Sequence, residues 1–347
     1  MKKVLVSILT VAMTLSMLAG CSSTEVATEE TAVVEEATTE EAVVEEVAEE
    51  AAVVDASDIT IGYATKSSSS PFWVENIKGA EQAGEELGIT VTIQGPPQEN
   101  DVVGQISVIE DMITAGADAL CIAPCDSAGV SDVVDRAMAA GIPVVSVGDT
   151  MGTDVSSTVT TDNYNAGWVA AEYLGEKIGG EGKVIIINGM LSQAGGAGRR
   201  DGFVDYMTET FGDAVTIVEV AADWDDSKAL SGFESAYAAN TDMVGGYVAW
   251  DGALIQMQAV LDREGRDDVL LVGFDCYEEV LQDMKDGDPL VSGDIAQNPA
   301  NMGYLSVMTA YAALMGEEYE SYVDTGATLV TLDNLDDYCA SMGYTLD

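Results

Sequence analysis

From Asp58 onward, short apolar or β-branched runs alternate regularly with longer amphipathic segments, and this alternation limits the fold more than any other feature of the chain. The runs at 59–63, 90–93, 119–122, 144–147, 184–187, 215–220, 246–249 and 270–274 read as strands. The segments at 72–87, 102–115, 127–140, 165–178, 199–211, 227–239, 253–263 and 277–285 carry helical periodicity. Strand–helix alternation of this length predicts an α/β fold, with parallel sheets covered by helices on both faces. Gly88, Gly116, Gly141 and Gly265 each follow a helical segment, where a residue tolerant of positive φ closes the C-terminus. About 290 residues exceed one small domain. Strand–helix units fill both 58–150 and 180–275, so two doubly wound lobes fit better than one sheet or a closed barrel.

The N-terminus has a different grammar. Met1, Lys2 and Lys3 precede an apolar run over 4–18 and then Leu18-Ala19-Gly20-Cys21. Residues 1–20 read as a secretion signal. The small residues before the cysteine resemble the bacterial lipobox, in which Cys21 becomes the lipid-modified first residue. A retained membrane helix is the alternative, but the run falls short of the roughly 18 to 20 apolar residues a span needs. Residues 25–56 are almost wholly Glu, Ala, Val and Thr, with Glu pairs at 29–30, 35–36, 40–41, 45–46 and 49–50. Such a segment repels itself and has no aromatic to bury, so 21–57 is expected to be an acidic, flexible tether. Pairs every five or six residues hold no single helix face, which argues against a coiled coil or binding arm. The expected location is extracytoplasmic, with the chain held to the membrane by lipid.

Charge and residue types exclude several functions. The net charge is −48, from 13 basic and 61 acidic residues with no histidine. Nucleic acid needs a basic surface and is excluded as a partner. Without histidine a zinc site needs closely spaced cysteines, and Cys121-x-x-x-Cys125 alone is a poor match. Cys121, Cys125, Cys276 and Cys339 read as buried free thiols; an exported chain permits a disulfide, but nothing selects a pair. No metal or cofactor is implied. Gly196-x-Gly198 fails the dinucleotide fingerprint. With no nucleophile elbow and no spaced carboxylate pair, no enzyme is expected.

Seven motifs then occur in order: Ser70-Pro71-Phe72-Trp73; Gly116-Ala117-Asp118-Ala119; Ala140-Gly141-Ile142-Pro143-Val144-Val145; Thr161-Asp162-Asn163 with Gly167; Arg199 with Gly202-Phe203; Val272-Gly273-Phe274-Asp275; and Ile295-Ala296-Gln297-Asn298-Pro299. Together, over about 58–334, the chain resembles the periplasmic sugar-binding proteins of the type I fold, the ribose-binding group in particular. The resemblance implies two lobes closing over a sugar, joined by crossings near 161–162, near Gln297 and near 324–327. The lobes would then be 58–161 plus 298–324, and 162–297 plus 325–347. It also implies a monomer that hands a monosaccharide or polyol to an ABC permease. The alternative is a sensor of the same fold that signals to a chemoreceptor or sensor kinase. A transcriptional repressor is disfavoured, because a signal stands where a helix-turn-helix would be.

A sugar pocket needs carboxylates and amides around the ring and aromatic planes above and below it. The resemblance implies that Phe72, Trp73 and Trp224 stack on the ring while Asp251, Asp275 and Gln297 hydrogen-bond its hydroxyls. Asp149 is another polar ligand, and Ser70 and Asp101 are secondary candidates from neighbouring loops. Other roles stay open: core capping for Phe72 or Trp73, a helix cap for Asp275, a turn for Asp149. The chain also departs from the family. Ala197 stands where ribose binders carry a gripping arginine, and Arg199 matches an arginine that holds the loop rather than the ligand. Trp250 precedes Asp251 where an Asn is common and adds an indole. These departures imply a ligand other than ribose: a less polar sugar, a deoxy sugar or a polyol.

Overall fold

In a computed structural model, residues 55–96 and 98–347 are described; the signal peptide, Cys21 and nearly all of the acidic tether lie outside the described residues. The first sheet contains β1 (Thr60–Ala64), β2 (Thr90–Gln94), β3 (Ala119–Ile122), β4 (Val144–Val147), β5 (Ser157–Thr160) and β11 (Tyr322–Asp324). Its order is β2-β1-β3-β4-β5-β11, all parallel. The second contains β6 (Gly182–Asn188), β7 (Val215–Ala221), β8 (Met243–Val248), β9 (Leu270–Phe274), β10 (Val291–Ala296) and β12 (Thr328–Val330). It repeats the winding as β7-β6-β8-β9-β10-β12, with only β12 antiparallel to its neighbour.

Helices α1 (Pro71–Leu87), α2 (Val102–Thr114), α3 (Ser131–Ala139) and α9 (Pro299–Met315) cover the first sheet. Helices α4 (Asn163–Lys177), α5 (Ala194–Phe211), α6 (Asp226–Ala239), α7 (Asp251–Arg263), α8 (Glu278–Asp286) and α10 (Leu335–Met342) cover the second. None is long and apolar enough to cross a membrane. Central strands are buried on both faces, as parallel sheets require. Ile61 and Tyr63 pack to one side of the first sheet, while Ala64, Leu120 and Ile122 pack to the other. The expectation of two doubly wound lobes joined by three segments therefore holds.

The chain passes between the sheets after β5, after β10 and after β11. Two of these passages are tied together. The Asp324 carboxylate accepts from the backbone N–H groups of Asp162 at 3.1 Å and Gly326 at 2.9 Å, and Thr325 N donates to Thr160 O at 2.9 Å.

In each lobe, one helix pair packs backbone to backbone. A Cβ at Gly79 would strike the Ala300 backbone, and one at Gly303 would strike Asn76 O, so α1 and α9 touch through reciprocal glycines. The pair α4 and α5 repeats the device: Gly167 faces the Arg199 backbone and Gly202 faces Tyr164 O. These contacts fix where α1 and α5 begin. Buried Asn76 adds a tie, accepting from the Tyr63 hydroxyl at 2.5 Å and donating to Pro299 O at 3.1 Å.

Local chemistry moved some boundaries. The segment 127–140 becomes helical only at Ser131, because the Asp126 carboxylate holds a turn through the N–H groups of Ala128 and Gly129. The helix expected from Arg199 starts earlier, at Ala194.

Candidate ligand-binding site

The carboxyl ends of the two sheets face each other across a cavity of about 530 Å³. This is where open parallel sheets place ligands, because the strand-to-helix loops converge there. The first lobe supplies Lys66, Ser70, Phe72 and Trp73 from the β1–α1 connection, Glu99 from β2–α2, and Asp149 after β4. The second supplies Gln193 and Arg199 from β6–α5, Trp224 from β7–α6, Trp250 from β8–α7, and Asp275 and Tyr277 from β9–α8.

On the first-lobe side, Pro71 starts α1 with φ already set, so the helix begins at once and turns Phe72 and Trp73 toward the cavity. Their rings meet edge to face with centroids 5.0 Å apart, and Lys66 Nζ sits 5.5 Å from the Trp73 centroid. Lys66 is buried and ion-paired with buried Asp149. Burial costs each charge its water, and the pair offsets that cost only while both members are present.

The second-lobe side is aromatic and strained. Trp224 and Trp250 meet edge to face at 5.5 Å, with their indole N–H groups donating at 2.8 Å to Gln193 Oε1 and Asp226 Oδ1 respectively. Arg199 lies flat over Phe274 at 3.7 Å, donating from Nε to Asn163 Oδ1 at 2.9 Å and from its terminal nitrogen to Ala249 O at 2.6 Å. Asp223, Trp224, Asp275 and Cys276 all have positive φ, at 53°, 62°, 109° and 56°. Such backbones persist only where surrounding bonds over-determine them. Around Asp275 those bonds are visible: its own N–H donates to Ile295 O at 2.9 Å, and Gln297 Nε2 donates to its carboxylate at 2.7 Å. The Asp251 carboxylate accepts from Phe274 N at 3.0 Å and Tyr277 N at 2.7 Å. Burial pushes Asp275 up to about 6, against the pull of Arg199 and the Gln297 bond.

Below this turn sits a second acid. Asp294 on β10 faces the same side of Gly273 as Asp251, and both are fully buried. With both ionised, neither Asp294 oxygen has a hydrogen-bond donor. A shared proton resolves this. Burial raises both carboxyls above the ordinary range, and the charge of Asp294 raises Asp251 further.

A short latch joins the lobes beside the cavity. Lys66 Nζ donates to Gln193 Oε1 at 2.9 Å, and Gln193 Nε2 donates to Cys125 O at 2.8 Å. Ala194 N donates to Ser127 Oγ at 3.0 Å, Ser127 N to Ser192 O at 3.2 Å, and Gly195 N to the Asp149 carboxylate. Asp149 thus joins the two lobes as well as lining the cavity.

Of the residues singled out from sequence, Ser70, Phe72, Trp73, Asp149, Trp224, Trp250 and Asp275 line the cavity. Asp251, Gln297 and Asp101 do not. Asp251 and Gln297 hold the backbone and carboxylate of Asp275 from behind, and Asp101 caps α2 through Gly104 N at 2.8 Å. Arg199 holds its loop and also forms part of the wall. The sequence reading passed over Lys66, Glu99 and Gln193. Lys66 and Glu99 follow strands directly, the position that marked the others, but a charged residue there has no signature separating it from a solvated loop. Cys121, Cys125, Cys276 and Cys339 are buried free thiols.

Two lobes wound alike, three connecting passages and a cavity lined from both sides define a two-lobed binding protein that encloses a small ligand. The chain belongs to the periplasmic binding protein domain family, whose profile matches residues 61–318. It is 34% identical over 251 residues to the D-allose-binding periplasmic protein of Escherichia coli, covering 69% of this chain and 79% of that one. It is 28% identical over 275 residues to the ribose import binding protein of Bacillus subtilis, covering 79% and 88%. Among solved structures, an ABC transporter solute binding protein from Agrobacterium vitis with bound D-fucose superposes with a TM-score of 0.77 at 28% identity, covering 83% of this chain and all of that one. A carbohydrate transporter solute binding protein from Agrobacterium radiobacter in complex with D-arabinose gives 0.76 at 30%, covering 82% and 98%. These relatives are binding proteins and not enzymes, which agrees with the absence of catalytic motifs in the sequence.

Proposed function

We propose that this chain is an extracytoplasmic solute-binding lipoprotein that captures a monosaccharide or related polyol between its lobes and delivers it to an ABC permease. The observation that carries the reading is convergence. Phe72 and Trp73 from one lobe and Trp224 and Trp250 from the other supply apolar planes, with Asp275, Glu99 and Arg199 between them. That combination suits a ring with apolar C–H faces and a polar rim. The relatives add support, since those with printed ligands bind ribose, D-allose, D-fucose or D-arabinose.

Because the ligand touches both lobes only when they are together, binding favours the closed form, and the closed form is what the permease recognises. Lipid at Cys21 keeps the receptor at the membrane, and the acidic segment after it sets its reach. A thermal-shift screen against pentoses, hexoses, deoxy sugars and polyols tests the reading, because a ligand that binds only the folded chain raises its apparent stability. Stabilisation by at least one of these is expected; silence across the panel sinks the proposal.

A further inference from the structure

Six carboxylates and three cations line the cavity, and nearly all of them are already committed. Lys66 is paired with Asp149 and Lys228 with Asp223 at 2.9 Å, while Arg199 stands 3.8 Å from Asp275 and spends its hydrogen bonds on Asn163 and Ala249. Asp225 accepts from Lys228 N at 3.0 Å, and Asp226 accepts from the Trp250 indole. Among the described residues, Glu99 is the lining carboxylate that makes no full hydrogen bond. The Trp73 indole approaches it and Lys66 attracts it without reaching it, while Asp275 and Asp149 repel it.

A carboxylate held between two others, partly removed from water, requires a proton or a cation. Building on the sugar-binding reading, we propose that the natural ligand is an amino sugar or amino polyol whose ammonium is held by Glu99, and that acid sugars are excluded. An ammonium supplies both the charge and the donors that Glu99 lacks. A uronate or sugar phosphate would instead meet uncommitted negative charge and no uncommitted cation. A neutral sugar satisfies the aromatic planes and Asp275 but leaves Glu99 uncompensated.

The test uses matched probes: D-glucosamine, D-galactosamine and D-mannosamine, each with its neutral parent hexose, plus D-glucuronate and D-galacturonate. Titration calorimetry at pH 7 on the soluble part of the chain reads the ratio within each set. At least one amine is expected to bind about ten- to a hundredfold more tightly than its parent, the range for a hydrogen bond to a charged group. The uronates are expected to give no heat. In Glu99→Gln, whose unliganded melting temperature checks folding, the ratio of amine to parent should fall toward one. Parents binding as well as their amines, a uronate binding best, or a ratio unmoved by Glu99→Gln would overturn the ammonium assignment and leave the sugar-binding reading standing. Silence from these probes and from the wider neutral panel would overturn both.

Discussion

The two lobes share a winding and a helix-packing device, yet they stabilise the rims of the cavity by opposite means. In the first lobe a neutral amide stitches the loops: buried Gln105 donates to Ala123 O at 2.6 Å and accepts from Cys125 N at 2.7 Å. In the second lobe a buried carboxyl does that work, with Asp251 gripping the turn at 274–277 and Asp294 below it. The non-glycine residues of positive φ also all lie in the second lobe among the described residues. Equal topology therefore does not mean equal chemistry. The first rim is stitched by an amide and an ion pair, while the second is strained and rests on acids that hold a proton.

The largest expected effect tests the ion pair of the first rim. Lys66→Met leaves Asp149 buried and uncompensated, and should cost about 3–5 kcal/mol in denaturant unfolding. Pairing it with Asp149→Leu should restore most of the loss; a double variant as unstable as the single would break the account. The shared helix device comes next. Gly303→Ala and Gly202→Ala each push a methyl group into a backbone carbonyl, so each should cost about 3 kcal/mol. A large cost in one lobe with none in the other would end the claim of a common packing rule.

Aromatic planes on the two sides give a smaller contrast. Trp224→Ala and Phe72→Ala should each weaken the tightest ligand by roughly 1 to 3 kcal/mol in calorimetry if both lobes stack on it. A loss from Trp224→Ala alone would mean that the second lobe holds the ligand by itself. The smallest effect concerns the acids. Asp251, Asp294 and Asp275 have folded pKa values raised above their unfolded ones, so the native chain keeps protons that the unfolded chain releases. Stability from this source is therefore present at low pH and falls as pH rises through the folded values. Asp294→Asn should flatten the decline between about pH 5 and 8 by on the order of 1 kcal/mol. An unchanged slope would remove the shared proton.

The legible part of the fold was the part with a periodic signal. Double-sided burial writes apolar runs such as 119–122 and 184–187 plainly into the chain. Ser157–Thr160 reads S-T-V-T, and β10 carries Ser, Gly and Asp, so neither looked like a strand. The apolar helix at Pro299–Met315 lacks a clear polar face. At the site, position after a strand found most wall residues. It could not tell Asp275, which faces the cavity, from Asp251, which faces away, because that depends on which backbone N–H groups a fold brings within reach.

The most direct test of a ligand enclosed between unlike rims is a crystal structure with the tightest binder from the screen. The ring should lie between the Phe72–Trp73 and Trp224–Trp250 faces, with its polar atoms on Asp275 and Glu99. A ligand bound elsewhere, or touching one lobe only with the lobes together, would contradict the account.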